Sequence, residues 1–141
     1  MGNGFVPVFK IGLIIALPIG IYSAVRQDTA GDYIAGAEIV DSVVMQDVTV
    51  GARSRIHRSI LDKFVRVGEE ASVGFGERSD DPALAWLDGL TLVGKDAAIP
   101  DGARIGPQVV VGVGAGADDF AAGALVPGTR IVDRMATQGL A

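Results

Sequence analysis

Residues 37–74 read AEIVDSVVMQDVTVGARSRIHRSILDKFVRVGEEASVG, and the spacing of the aliphatic side chains in this stretch decides the fold. Ile39, Val44, Val50, Ile56, Leu61, Val67 and Val73 follow one another at steps of five, six, six, five, six and six. After a gap, Val93, Ile99, Ile105 and Val111 resume at steps of six. Two residues before these marks, from Val44 onward, stand Ser42, Val48, Ser54, Ser59, Val65, Ala71, Thr91, Ala97, Ala103 and Val109, all small or medium and none charged. The residue after the mark is glycine at Gly51, Gly68, Gly74, Gly94, Gly106 and Gly112. The remaining positions collect charge, at Arg53, Arg55, Glu69, Glu70, Lys95, Asp96, Asp101 and Arg104.

A helix repeats at 3.6 residues, so a strict period of six would drift around its surface. Two-residue alternation within each hexad instead puts the aliphatic and the small residue on one face of a short strand. Glycine would then let the backbone turn a corner at positive φ. Short strand, corner, short strand describes an all-β fold, a parallel β-helix whose equivalent side chains stack as ladders. Three hexads make one coil of about eighteen residues. The competing reading is a β-sandwich with accidental spacing.

Working outward, residues 75–90 (FGERSDDPALAWLDGL) break the period and read as a loop thrown out from one corner. Trp86 is expected either to pin this loop to the wall or to meet another domain or subunit. Asp80 and Asp81 before Pro82 read as a turn, and no metal site is expected. Residues 120–134 keep a loose apolar pattern at Leu125, Val126 and Ile131 and are expected to cap the open end. Residues 135–141 are expected to be a frayed tail. The repeats assign residues 34–134 to the β-helix domain.

Residues 1–33 are different in kind. Phe5 to Val25 is almost wholly apolar, interrupted by Pro7, Lys10 and Pro18, and Arg26–Asp32 is polar like a linker. A spanning helix needs about 20 apolar residues, and Pro18 argues against a straight one. A strand packed on its neighbours, a membrane tether or export signal at residues 5–25, and a segment foreign to the fold are the three readings left open.

Composition removes several function classes. The 141 residues hold 20 glycines, 6% aromatics and 49% apolar residues, so the chain is globular with a thin, aliphatic interior. A net charge of −5 argues against nucleic acid. There is no cysteine, which excludes disulfides, thiolate metal sites and thiol nucleophiles. The single histidine, His57, would be the general base if the chain were a hexapeptide acyltransferase. The group Arg53, Arg55, His57, Arg58, Lys63 and Arg66 forms a basic patch, offset by carboxylates such as Asp62 and Glu69 or open to an anion or a partner.

Two stretches carry a closer likeness. Residues 37–74 contain the paired edges Ser42-Val43 and Ser59-Ile60 and the run Ile60-Leu61-Asp62-Lys63. Residues 89–106 read GLTLVGKDAAIPDGARIG, with Ile99-Pro100 after the lysine. Together with the interrupting loop after Gly74, they resemble the C-terminal β-helix domain of the glucose-1-phosphate adenylyltransferases, a family of hexapeptide-repeat nucleotidyltransferases making ADP-glucose for glycogen. The resemblance implies a left-handed coil, a cytoplasmic location and a regulatory and oligomerisation role. It implies a homo-oligomer or a missing catalytic domain as partner, and a small anionic effector bound at Lys95, with Arg66 and Arg104 adding charge. Magnesium and ATP would belong only to the family's N-terminal catalytic domain. Gly2-Asn3-Gly4 is no phosphate loop, so this chain carries no catalytic residue of that reaction and no cofactor, and is expected to be inactive alone. It reads as a detached or truncated C-terminal domain. A hexapeptide acyltransferase and a purely structural β-helix module are the alternatives.

Overall fold

The computed structural model describes residues 8–11, 14–15, 22–23, 36–121 and 123–134. From residue 38 the chain runs through short strands: β4 (Glu38–Val40), β5 (Val43–Val44), β6 (Val48–Gly51), β7 (Arg55–His57), β8 (Ser59–Leu61), β9 (Arg66–Val67) and β10 (Ser72–Val73). After the loop follow β11 (Thr91–Val93), β12 (Ala98–Ile99), β13 (Arg104–Ile105), β14 (Val110–Val111) and β15 (Arg130–Ile131). Successive strands go in rotation to three sheets. Sheet II takes β4, β7, β10 and β13; sheet III takes β5, β8, β11, β14 and β15; sheet I takes β6, β9 and β12. Within each sheet these strands pair in parallel, one coil onto the next.

The register puts like on like. Ile39, Ile56, Val73 and Ile105 stand in line on sheet II, and Leu125 bridges to Ile105. Val44, Leu61, Val93, Val111 and Ile131 align on sheet III. Val50, Val67 and Ile99 align on sheet I. All but Ile131 are buried, and they form one continuous core. The small positions are the narrow corners between ladders. Ser42, Ser59 and Thr91 are buried there, with hydroxyls donating to the carbonyls of Val40, His57 and Gly106 at 2.7–2.8 Å. The first coils are seventeen residues long, as Ile39 to Ile56 to Val73 shows. The period-six arrangement is thus a parallel β-helix.

One expectation is corrected. Of the six glycines after the marks, only Gly74 (φ 86°) is left-handed. The left-handed corner falls three residues after most marks, at Asp47, Arg53, Phe64, Glu70, Asp96 and Gln108, φ 55° to 63°. Each such residue is strained by roughly 1 kcal/mol. The conformation lets its amide reach the corner of the coil below: Phe64 donates to the Gln46 carbonyl, Glu70 to Ala52 and Asp96 to Lys63. The glycines after the marks serve close approach instead. A Cβ on Gly51, Gly68 or Gly112 would lie 2.5 Å from backbone or side-chain atoms of the next coil.

A second correction concerns the loop. Its 3-10 helix, Pro82–Leu87, is capped by Asp81, whose carboxylate accepts from the Ala83 amide at 2.9 Å. Leu87 is buried and pins the loop, whereas Trp86 is 64% exposed and does not. Gln108, itself buried, holds Ser79 through both backbone groups.

The C-terminal stretch extends the solenoid by part of a coil rather than only closing it. Leu125 and Ile131 continue two ladders, and Phe120 is buried in the third, from a 3-10 turn (Ala117–Phe120) against β12. Val126 and Val132 face outward. The tail at 135–141 lies outside the described residues.

Three described pieces of the N-terminal segment, β1 (Val8–Ile11), β2 (Ile14–Ile15) and β3 (Tyr22–Ser23), pair antiparallel with β6, β5 and β4. They visit sheets I, III and II, the reverse of the later order, so the chain winds back over its first coil and covers three strand edges. The polar stretch Arg26–Asp32 lies outside the described residues. Among the described residues no helix is long and apolar enough to cross a membrane.

Candidate functional site

The basic patch is largely neutralised, by carboxylates other than Asp62 and Glu69. Arg53 pairs with Glu70 at 3.6 Å and Arg55 with Glu38 at 3.5 Å. Arg58 bridges Asp41 at 3.2 Å and Asp88 at 3.3 Å, and also donates to the Asp88 carbonyl at 2.8 Å, which ties the loop to the first coil. The Arg53–Glu70 and Arg55–Glu38 pairs are exposed and contribute little to stability.

His57 is half-buried at the end of β7, its ring 5.4 Å from that of Phe75. The Arg55 guanidinium lies 4.3 Å from the centre of the same Phe75 ring. Among the described residues no carboxylate bonds the imidazole, so nothing there orients it as a general base.

The three residues expected to bind an anion do not share one face. Lys95 is exposed at the corner leading into β12, with its ammonium 5.8 Å from the centre of the Phe64 ring. Arg66 is exposed on β9, the neighbouring strand of sheet I. Arg104 is exposed on β13 of sheet II, beside Ser72 of β10. Lys95 and Arg66 thus belong to adjacent coils, while Arg104 opens onto a groove of about 730 Å³ lined also by Phe75, Arg78, Ser79 and Leu125. Arg78 pairs loosely with Asp88, at 3.7 Å. The sequence reading missed Arg78, which has no phase in the repeat; its one signal is a place in the loop that breaks the period. A phosphate or carboxylate group would find two guanidinium groups, a serine hydroxyl and an aromatic wall in this groove. Among the described residues no cluster of histidine, aspartate and glutamate would hold a metal ion.

Comparison with known proteins bears on this geometry. The family model described as GlmU-like, C-terminal hexapeptide matches residues 29–93. The glucose-1-phosphate adenylyltransferase of Acetivibrio thermocellus is 38% identical over 112 residues, 76% of this chain and 26% of that protein. The one from Thermomicrobium roseum is 40% identical over 103 residues, 69% of this chain and 23% of that protein. The chain's relatives are glucose-1-phosphate adenylyltransferases. The match lies in the C-terminal part of those enzymes, and the chain spans about a quarter of their length. The glucose-1-phosphate adenylyltransferase of Rhodopirellula baltica is 41% identical over a shorter stretch of 56 residues, 40% of this chain and 11% of that protein. No solved structure matches the chain significantly.

Proposed function

We propose that the chain is the C-terminal assembly and regulatory β-helix of a glucose-1-phosphate adenylyltransferase, acting beside a nucleotide-binding domain that carries the chemistry. The observation that carries this reading is the 38–40% identity to such enzymes over more than 100 residues. The stacked coils give a rigid wall suited to subunit contacts and to holding an anionic effector. Adenylyl transfer to glucose 1-phosphate, with release of pyrophosphate, would then occur on that nucleotide-binding domain, which would bind ATP and magnesium. The resemblance also supports a left-handed coil and a cytoplasmic location. A homo-oligomer or the catalytic domain is the partner this reading calls for.

Effector binding is assigned to Lys95, with Arg66 on the neighbouring coil, and to Arg104 in its own groove. A lysine ammonium is a mobile point charge that suits phosphate. In the complete enzyme, Lys95→Ala should weaken binding of phosphorylated sugars by ~1.5–3 kcal/mol, as loss of a charged hydrogen bond does. Unchanged affinity and activation would remove Lys95 from the site. Reading the DNA upstream of this coding sequence in all three frames tests the reading as a whole. A nucleotide-binding coding region is expected there, and its absence from a genome with no separate copy would count against the reading. An acyltransferase is the weaker reading, since His57 lacks an orienting carboxylate among the described residues.

A further inference from the structure

Sheet II turns Glu38, Arg55, Ser72 and Arg104 outward in register, one from each coil. Neighbouring strands lie about 4.8 Å apart, so Arg55 and Arg104 flank Ser72 from the coils on either side. Arg55 is already engaged. It pairs with Glu38 at 3.5 Å and stacks 4.3 Å from the centre of the Phe75 ring, which fixes that ring as a wall. Among the described residues Arg104 makes no ion pair and the Ser72 hydroxyl makes no hydrogen bond. Both open onto the groove of about 730 Å³. Arg78 reaches the same groove from the loop. Its guanidinium lies over Gly89, where a Cβ would come within 2.7 Å of Cζ and Nε. Its pair with Asp88 is long, 3.7 Å, while the other carboxylate oxygen of Asp88 is 3.3 Å from Arg58. The loop wall is held in place, since the Gln108 side chain accepts from the Ser79 amide at 2.7 Å and donates to the Ser79 carbonyl at 3.2 Å. The rest of the lining is mostly apolar, with Pro107, Leu125 and Pro127 facing Phe75. Glu77 also borders the groove and repels an anion from its own end.

We infer that this groove is a site for a phosphate monoester with a compact apolar body, separate from the site at Lys95 and Arg66. Arg104 supplies an unpaired fork of donors, Arg78 a second one held only loosely by Asp88, and Ser72 a hydroxyl with nothing else to bond. The apolar walls bury the body of the ester. They offer few partners to hydroxyl groups, so a sugar phosphate would lose water from its hydroxyls without replacing those bonds. Inorganic phosphate fills the charged end and leaves the apolar walls wet. A few placed polar groups in a mostly apolar concavity are the usual build of a small-molecule site. This inference rests on the anion-binding role proposed above and names the ligand chemistry of its Arg104 groove.

The test is titration of the full chain with phenyl phosphate, glucose 1-phosphate and inorganic phosphate, followed through the amide resonances of Ser72, Ser79 and Gln108. Phenyl phosphate should bind about tenfold more tightly than either of the others, through burial of its ring. Arg104→Ala and Arg78→Ala should each weaken it about tenfold or more, as loss of a charged hydrogen bond does. Arg104 is exposed, so its variant should unfold within a few degrees of the parent. Lys95→Ala should leave phenyl phosphate binding unchanged. Equal affinity for the three probes overturns the inference, as do resonances that stay in place or arginine variants that bind like the parent. Loss of binding in Lys95→Ala also overturns it, because the phosphate would then sit at the other site. The chain is measured alone and nothing turns over, so failure here is distinct from failure of the nucleotidyltransferase reading, which is tested by catalysis.

Discussion

At Gly68 and Asp96 the two backbone demands of the coil separate. Gly68 has an ordinary φ but no space, since its Cβ would meet the Asp101 amide nitrogen at 2.5 Å. Asp96 has space but φ 62°. Gly68→Ala should therefore cost ~1–3 kcal/mol, the range for forced overpacking. Asp96→Gly should be neutral or stabilising by up to ~1 kcal/mol as left-handed strain is relieved. Urea midpoints of the two variants check this, and a reversed order would contradict the assignment. The interior is equally demanding: Ile105 is buried in the sheet II ladder, and Ile105→Asp would bury an unpaired carboxylate at a cost of several kcal/mol, of order 3–5. Unaltered thermal unfolding of that variant would contradict the ladder. The ladder residues were legible from spacing alone. The left-handed corners were not, because only Gly102 and Gly114 among them are glycine, while aspartate, arginine, phenylalanine, glutamate and glutamine hold the rest, where the amide bonds between coils offset the strain.

At the scale of elements, the interrupting loop and the last turn each hang on one contact. Leu87 is the loop's buried anchor, so Leu87→Ala should destabilise by ~2–3 kcal/mol, whereas Trp86→Ala should change stability by less than ~0.5 kcal/mol. Near-equal losses would contradict the described loop packing. The sequence reading offered Trp86 as the pin or as a contact with another domain or subunit, but exposure follows the face of the short helix, which composition does not reveal. In the last turn, the Gly116 amide and then the Arg134 guanidinium bond Asp119 and hold its carboxyl below the ordinary 3.8. A depressed folded-state pKa contributes stability that is present above the unfolded value and lost as pH falls through the folded one. Protection of the Gly116 amide, measured against its intrinsic exchange rate, should therefore fall below about pH 4, the unfolded carboxylate range. Asp119→Asn should abolish that dependence; a variant with the parent's acid response would contradict it.

At the scale of the whole molecule, the rotation of strands explains why the expected anion site divides. Arg66 precedes Val67 on sheet I, and Arg104 precedes Ile105 on sheet II. Hexads three apart share a face, so counting them from Val67 through Val73, Val93 and Ile99 to Ile105 would have separated these arginines from sequence. The reversed strands β1 to β3 were beyond such counting, because residues 5–25 carry no period. Arg78 was beyond it too, since the loop sets its position. The central proposal is that these coils serve a glucose-1-phosphate adenylyltransferase whose chemistry lies on another domain. The most direct measurement joins the N-terminal part of the Acetivibrio thermocellus enzyme to this chain in place of its own matched stretch of 112 residues. ADP-glucose formation from ATP and glucose 1-phosphate is then assayed for the chimera and for the chain alone. The account predicts synthesis by the chimera, unchanged by His57→Ala, and none by the chain. A folded but inactive chimera, or dialysis-resistant synthesis by the chain alone, would contradict it.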